Sequence, residues 1–274
     1  MTITLAEALE RLGLGAATAD HLRRITVDQT NESWIVEETV VVKLLIKGDG
    51  PHPAADRLRR LDSAGFAATP RLIGIVEEDG VPVAIATQYL PGAEDGWDWC
   101  VREARIALGV EDGEPRPFAE QLGRLGAEMH LALADEDGLV AAHGDFHVGQ
   151  ILRTRDRELH VIDFDGNPTL PPAERVMHRP AAYDIAGMLL SLENVGHVVH
   201  EHNPEVRDED AAAWSAGVQE AVLAEYRQRA GPLLDESLLE PMIMEQIRRE
   251  FDYAEKHLPR WKYVPEAAMR RRRQ

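Results

Sequence analysis

The segment His143-Gly-Asp-Phe-His-Val-Gly-Gln150 constrains this chain more than any other. It sets the carboxylate of Asp145 and the side-chain amide of Gln150 in one loop, and Asp163-Phe-Asp165 follows at the end of the next strand-like stretch. A loop acid can accept or orient the proton of an attacking hydroxyl. An amide carbonyl and a second carboxylate can together hold Mg2+ against nucleotide phosphates. Taken singly, an Asp in a turn is usually a local cap; the ordered set, each member on its own predicted loop or strand, is what points to phosphoryl transfer. Hard oxygen donors suit Mg2+ better than zinc. Asp145 is therefore the expected catalytic base, and Gln150 and Asp163 are the expected metal ligands.

An upstream lysine agrees with this reading. Thr39 to Ile46 is a dense β-branched run, which suits a buried strand. Lys43 stands in the middle of it, where an ammonium without a partner is costly. On an edge strand Lys43 would face solvent; in a kinase-like sheet it reaches the α- and β-phosphates of ATP. The next predicted helix, Pro53 to Gly65, offers Asp56 as the acidic partner of Lys43. The stretch Asp28 to Ser33 contains no glycine, so a phosphate cradle there has to use side-chain hydroxyls and amides. Gln88, Tyr89 and Leu90 are expected to line the adenine through their backbone.

The hydrophobic pattern predicts an α+β chain with a small β-rich N-lobe, residues 1–90, and a larger helical C-lobe, residues 91–274. The first 24 residues read as a short amphipathic helix on Leu5, Leu9 and Leu12. Strands are expected at Arg71 to Glu77 and Val81 to Tyr89, around the turn Glu78-Asp79-Gly80. Phe118 to Ala134 reads as a helix, and helices dominate again from Tyr183. The formal charge of −18 disfavours nucleic acid as a partner. No apolar run is long enough for a membrane span, and no secretory signal is visible. The single cysteine, Cys100, fits a cytoplasmic setting. Arg270 to Arg273 read as a solvated basic end.

These motifs resemble those of the aminoglycoside phosphotransferase-like kinases, which share a bilobal protein-kinase-like fold; the likeness runs over roughly residues 25–265. His-Gly-Asp-x-x-x-x-Gln, Ile162-Asp-Phe164 and Tyr183-Asp-Ile-Ala-Gly187 carry it. The resemblance makes Asp184 a structural brace of the catalytic loop. Gly149-Gln150-Ile-Leu, Asp163-Phe-Asp-Gly-Asn-Pro168 and Glu174-Arg175 are similar to actinobacterial maltokinases and their glucosamine kinase relatives. Gln246 to Tyr253 and His257 to Pro265 look most like the glucosamine kinases. That resemblance implies that Glu250 binds a substrate amino group and that Trp261 walls the sugar site. The large N-terminal cap of those kinases has no counterpart beyond the first 24 residues. Trp97 and Trp99 read as core residues.

The function expected is thus ATP- and Mg2+-dependent phosphorylation of a hydroxyl on a small amino sugar such as glucosamine. Aminoglycoside antibiotics or a maltokinase-type sugar are the alternative substrates. A metal-dependent phosphoesterase is a distant rival, since Gly144-Asp-Phe-His147 matches its Gly-Asp-x-His element. That chemistry needs further His, Asp and Asn ligands from other strands, and His160 lies within a strand pattern. A protein kinase is disfavoured by the short span between Asp163 and Asp184, which leaves no room for a peptide platform.

Overall fold

A computed structural model describes residues 3–15, 21–25, 31–45 and 52–272. Helix α1 (Leu5–Arg11) opens on a capping box, in which Thr4 caps the Glu7 amide and the Glu7 side chain returns to the Thr4 backbone. It ends well before the helix expected over the first 24 residues, because Gly13 and Gly15 adopt left-handed backbone with φ of 71° and 73°. The chain then enters strand β1 (Leu22–Ile25).

Strands β2 (Glu32–Val36) and β3 (Val40–Leu44) follow, then helix α2 (Pro53–Ser63), β4 (Leu72–Glu78) and β5 (Val81–Gln88). The five strands form one antiparallel sheet in the order β1-β2-β3-β5-β4. Asp79 and Gly80, both at positive φ, make the tight turn between β4 and β5. Strand β3 is central, which removes the edge-strand reading of Lys43. Alternation then sorts its side chains. Val40, Val42 and Leu44 pack with Ala8 and Leu9 of α1 in one apolar cluster. Lys43 points to the opposite face, which looks toward Asp163 and Asp165.

The remainder is mainly helical: α3 (Gly96–Ala107), α4 (Ala119–Leu133), the hairpin β6 (Ile151–Arg153) and β7 (Leu159–Val161), the short α5 (Pro172–Arg175), then α6 (Ala182–His202), α7 (Asp208–Ala230), α8 (Leu239–His257) and α9 (Tyr263–Arg271). One core joins both parts. Leu58 and Leu61 of α2 share it with Leu122, Met129 and Leu133 of α4, with Phe146, and with most of α6. Trp99 lies fully inside and donates its indole N–H to the Ile151 carbonyl at 3.0 Å. Cys100 is also fully buried, and burial pushes its thiol pKa up. Among the described residues no helix is long and apolar enough to cross a membrane.

Candidate active site

The loop carrying Asp145 is held from two sides by buried groups. Asp184, near the start of α6, accepts the His143 amide at 2.6 Å and the Gly144 amide at 2.9 Å. His130 of α4 lies 3.2 Å from the same carboxylate, and its other ring nitrogen meets the Tyr226 hydroxyl at 2.8 Å. Burial opposes the charge on Asp184, but these hydrogen bonds and the histidines outweigh it and hold its carboxyl below the usual range. On the other side, His143 Nε2 donates to the Ile162 carbonyl at 2.8 Å, and its Nδ1 accepts the Asp145 amide at 3.3 Å. Burial keeps this ring neutral by lowering its pKa.

Close approach of two loops needs glycine. Gly144 has φ of 88°, and a Cβ on it would stand 2.9 Å from the Gly166 Cα. Gly187 lets α6 run beneath the loop, since a Cβ there would meet the Phe146 carbonyl oxygen at 2.8 Å. Asp145 is thereby presented at the surface of the cleft, with His147 Nε2 at 3.7 Å from its carboxylate. His147 Nδ1 accepts the Gly149 amide at 3.1 Å, which aims the ring. Burial works against a charged His147, yet the carboxylates of Asp145, Glu250 and Asp163 prevail and raise its pKa.

Asp163 sits just beyond β7 in left-handed backbone, φ 64°, with its side chain 42% exposed. Lys43 Nζ lies 2.5 Å from Asp163 Oδ1 and 2.7 Å from Asp165 Oδ2. Burial would lower the pKa of Lys43, but the two aspartates drive it above the ordinary lysine value. The same pairing holds Asp163 below the usual carboxylate range against the penalty of burial. Asp165 itself is buried, and also accepts Asn31 Nδ2 at 2.6 Å. The acidic partner of Lys43 is thus not Asp56. On α2, Asp56 faces solvent and Arg57 turns inward. Residues 28–30 of the expected phosphate cradle lie outside the described residues.

Gln150 closes a short 3-10 turn, and its backbone carbonyl accepts the Ile162 amide at 2.9 Å, which ties it to the strand that leads to Asp163. Among the described residues no group of three His, Cys, Asp or Glu converges as a metal cage. Two oxygen donors, Gln150 and Asp163, suit a cation that completes its shell with phosphates and water, which is the habit of Mg2+. They do not suit the multi-histidine set of a phosphoesterase. At the end of β5 and just beyond it, the Gln88 and Tyr89 amides already donate to the Arg71 and Thr39 carbonyls at 2.9 and 2.7 Å. Their N–H groups are therefore not offered to a base. The Leu90 amide finds no backbone acceptor among the described residues.

The C-terminal residues come back to the same cleft. Glu250 of α8 accepts Asn194 Nδ2 at 3.1 Å. Burial pushes its pKa up to about 7, against the Asn194 hydrogen bond and the nearby His147; Asp145 and Glu193 add repulsion. Arg249, its neighbour, does not pair with it. Arg249 turns instead to Glu245, Gln246 and the Tyr183 hydroxyl. Trp261 meets Trp97 edge to face at 5.4 Å between ring centroids, and Tyr263 at 5.9 Å. Trp99 is a core residue as expected; Trp97 is only half-buried and stands against Trp261.

No family model matches the chain. A glucosamine kinase from Streptacidiphilus jiangxiensis is 38% identical over 326 aligned residues, taking in 93% of this chain and 74% of that protein. Another from Mycolicibacterium smegmatis is 33% identical over 327, taking in 94% and 81%. The chain belongs to the glucosamine kinase family. Two solved glucosamine kinase structures agree. One, in complex with glucosamine, ADP and inorganic phosphate, superposes with a TM-score of 0.79 at 35% identity over 90% of this chain and 79% of that one. A second crystal form gives 0.80 at 33% over 96% and 81%. A streptomycin-ATP-APH(2")-IIa complex matches at 0.54 with 14% identity over 93% of each chain, which shows the shared fold.

Some supports of this kinase were not legible in its sequence. Arg57, only 2% exposed, donates to the carbonyls of Phe164 and Arg175 at 2.6 Å each and of His143 at 3.2 Å. It ties α2 to the Asp145 loop and to the loop after β7. The available signal was a charge on the apolar face shared by Ala54, Leu58 and Leu61. The basic end is also not simply solvated: Arg272 bonds Glu193 of α6 at 3.0 and 2.8 Å, and Arg271 bonds Asp208 at 2.6 Å. Arg273 lies outside the described residues.

Proposed function

We propose that this chain transfers the γ-phosphoryl group of ATP, with Mg2+, to a hydroxyl of glucosamine or a close amino sugar. The observation that carries this is the arrival of Glu250, from α8, within electrostatic reach of Asp145 and His147 on the catalytic loop. A carboxylate there can take an ammonium in a charge-assisted hydrogen bond while Asp145 meets a hydroxyl of the same small molecule. The family membership supports the same substrate class. Trp261, with Trp97 behind it, supplies an aromatic surface for the apolar side of a sugar ring.

ATP is assigned to the cleft between the sheet and the catalytic loop. Leu90 offers its amide to the adenine, with the carbonyls of Gln88 and Tyr89 beside it. Lys43 leaves its two aspartates in part to meet the α- and β-phosphates. Gln150 and Asp163 would hold Mg2+, which when bound would offset charge on the phosphates. Asp145 orients the acceptor hydroxyl in line with the γ-phosphate and takes its proton. No covalent step on the protein is needed; positioning and charge neutralisation supply the rate.

The test is ADP release with Mg-ATP against glucosamine, glucose, N-acetylglucosamine, maltose, choline and aminoglycosides. Turnover of glucosamine that collapses in Glu250→Ala supports the reading. Turnover with aminoglycosides alone would keep the kinase and discard the substrate. Activity lost to a zinc-selective chelator while Mg2+ is kept in excess would discard the magnesium assignment.

A further inference from the structure

Helix α6 lays one stripe of residues under the whole site. Asp184, Gly187, Ser191 and Asn194 follow at helical spacings of three and four. Asp184 holds the His143 and Gly144 amides, Gly187 admits the Phe146 carbonyl, and Ser191 accepts the Val148 amide at 3.1 Å. Asn194 comes next, 5% exposed and set between the fully buried Leu190, Leu192 and Val195. It donates to Glu250 Oε2 at 3.1 Å. A primary amide amid such apolar neighbours is kept in place by what it bonds.

The surroundings of Glu250 make that one donor matter. From the catalytic loop it faces Asp145 and His147, and from α6 it faces Glu193. Glu193 is itself held by Arg272, with Arg271 at 3.9 Å. On its own helix, Arg249 is turned away to Glu245 and Gln246. Two like charges therefore press on Glu250 against one histidine, and no arginine or lysine pairs with it among the described residues. The amide of Asn194 is the neutral donor that favours its ionised form.

We infer that Asn194 is a specificity-determining positioning residue, which holds the Glu250 carboxylate toward the catalytic loop and so sets the preference for a cationic over a neutral sugar. This rests on the reading of Glu250 as the amino-group site. Asn194 does not touch the reacting atoms; it acts through Glu250. Without its hydrogen bond the carboxylate becomes easier to protonate and free to turn, and a neutral sugar loses nothing by that.

Asn194→Leu and the nearly isosteric Asn194→Asp test it, with steady-state rates for glucosamine across the neutral pH range. Glucose is scored beside it as substrate or as competing inhibitor, and thermal melts check folding. In Asn194→Leu the KM for glucosamine is expected to rise about tenfold, the effect of one hydrogen bond to a charged group. The kcat, the KM for ATP and the affinity for glucose stay as in the wild type. The acid limb of kcat/KM for glucosamine moves to higher pH, and moves further in Asn194→Asp, where two acids share the space. Parallel loss of both sugars, or an acid limb that stays put in both folded variants, would overturn the role of Asn194 while leaving the amino-sugar reading intact. A wild type that does not turn over glucosamine at all would overturn both.

Discussion

Arg57 Nη1 lies 2.6 Å from the Phe164 carbonyl oxygen, so a helix of the β-rich part reaches directly into the loop that follows Asp163. The same guanidinium satisfies His143 and Arg175, and burial pulls its pKa down to about 10, still charged at neutral pH. Arg57→Met keeps the aliphatic stem and strands three carbonyls. It should cost roughly 3 kcal/mol in denaturant unfolding, by the usual penalty for breaking a buried charged hydrogen-bond set. It should also lower kcat through displacement of Asp163. Arg57→Lys, a single-point donor, should recover part of the stability and little of the rate. An unchanged melting curve would remove this role.

Asp145→Asn and Asp163→Asn should separate in their metal dependence. Asp145→Asn loses the proton acceptor, and its kcat should fall by about 10² to 10⁴ with the KM for ATP nearly unchanged. Asp163→Asn weakens a metal ligand, so a higher Mg2+ concentration should restore part of its activity. If excess Mg2+ rescues Asp145→Asn equally, the assignment of base and ligand is wrong.

Glu250 gives a pH signature in stability. Its folded pKa, about 7, lies above the ordinary value of 4.5, so the native state keeps a proton that the unfolded chain releases. Stability is therefore lost as pH rises from the unfolded value through the folded one. Glu250→Gln should equal the wild type at low pH and exceed it above neutrality by about 2 kcal/mol, discounted for partial exposure. Urea unfolding at a series of pH values reads this directly. The same variant should lose glucosamine turnover, so stability and function would move in opposite directions.

The end of α9 is anchored through Arg272 and Glu193. Glu193 is only 9% exposed, so removing Arg272 leaves a buried carboxylate with only the more distant Arg271, at 3.9 Å. Arg272→Ala should destabilise by about 2 kcal/mol, and Glu193→Gln in the same chain should return much of that. A double-mutant cycle with no coupling would show that the two side chains meet without consequence.

Much of the fold was legible because its signals are local. The β-branched run at β3, the Asp79-Gly80 turn and the apolar repeat of α4 each follow from a short-range preference, and each element lies within a few residues of its expected place. The helix expected over residues 1–24 is present only at Leu5–Arg11, for an equally local reason. Leu5 and Leu9 carry the repeat only as far as two glycines that end it, and the charged Leu22–Ile25 segment becomes a strand by pairing with β2.

The partner of Lys43 shows where such reasoning stops. Asp56 and Arg57 are adjacent, and only the packing of α2 against the sheet and α4 decides which faces inward; a helix rotated by one residue would have exchanged them. Asp165 takes the place expected of Asp56 because Gly166 and Gly144 let two loops approach, a contact between residues 22 apart in the chain.

By itself the sequence determined the candidate residues for the chemistry, since Asp145, Gln150 and Asp163 are bound to one loop and one strand whose spacing the chain connectivity sets. It also determined Lys43 as a lone cation in a buried strand. The tertiary structure alone decided what surrounds them: the Asp184 brace, the Arg57 tie, and the meeting of Asn194 with Glu250. Those contacts join α2, α6 and α8 to the loops by packing, and the energy of a packed contact depends on the whole core rather than on any stretch of residues that can be read in order.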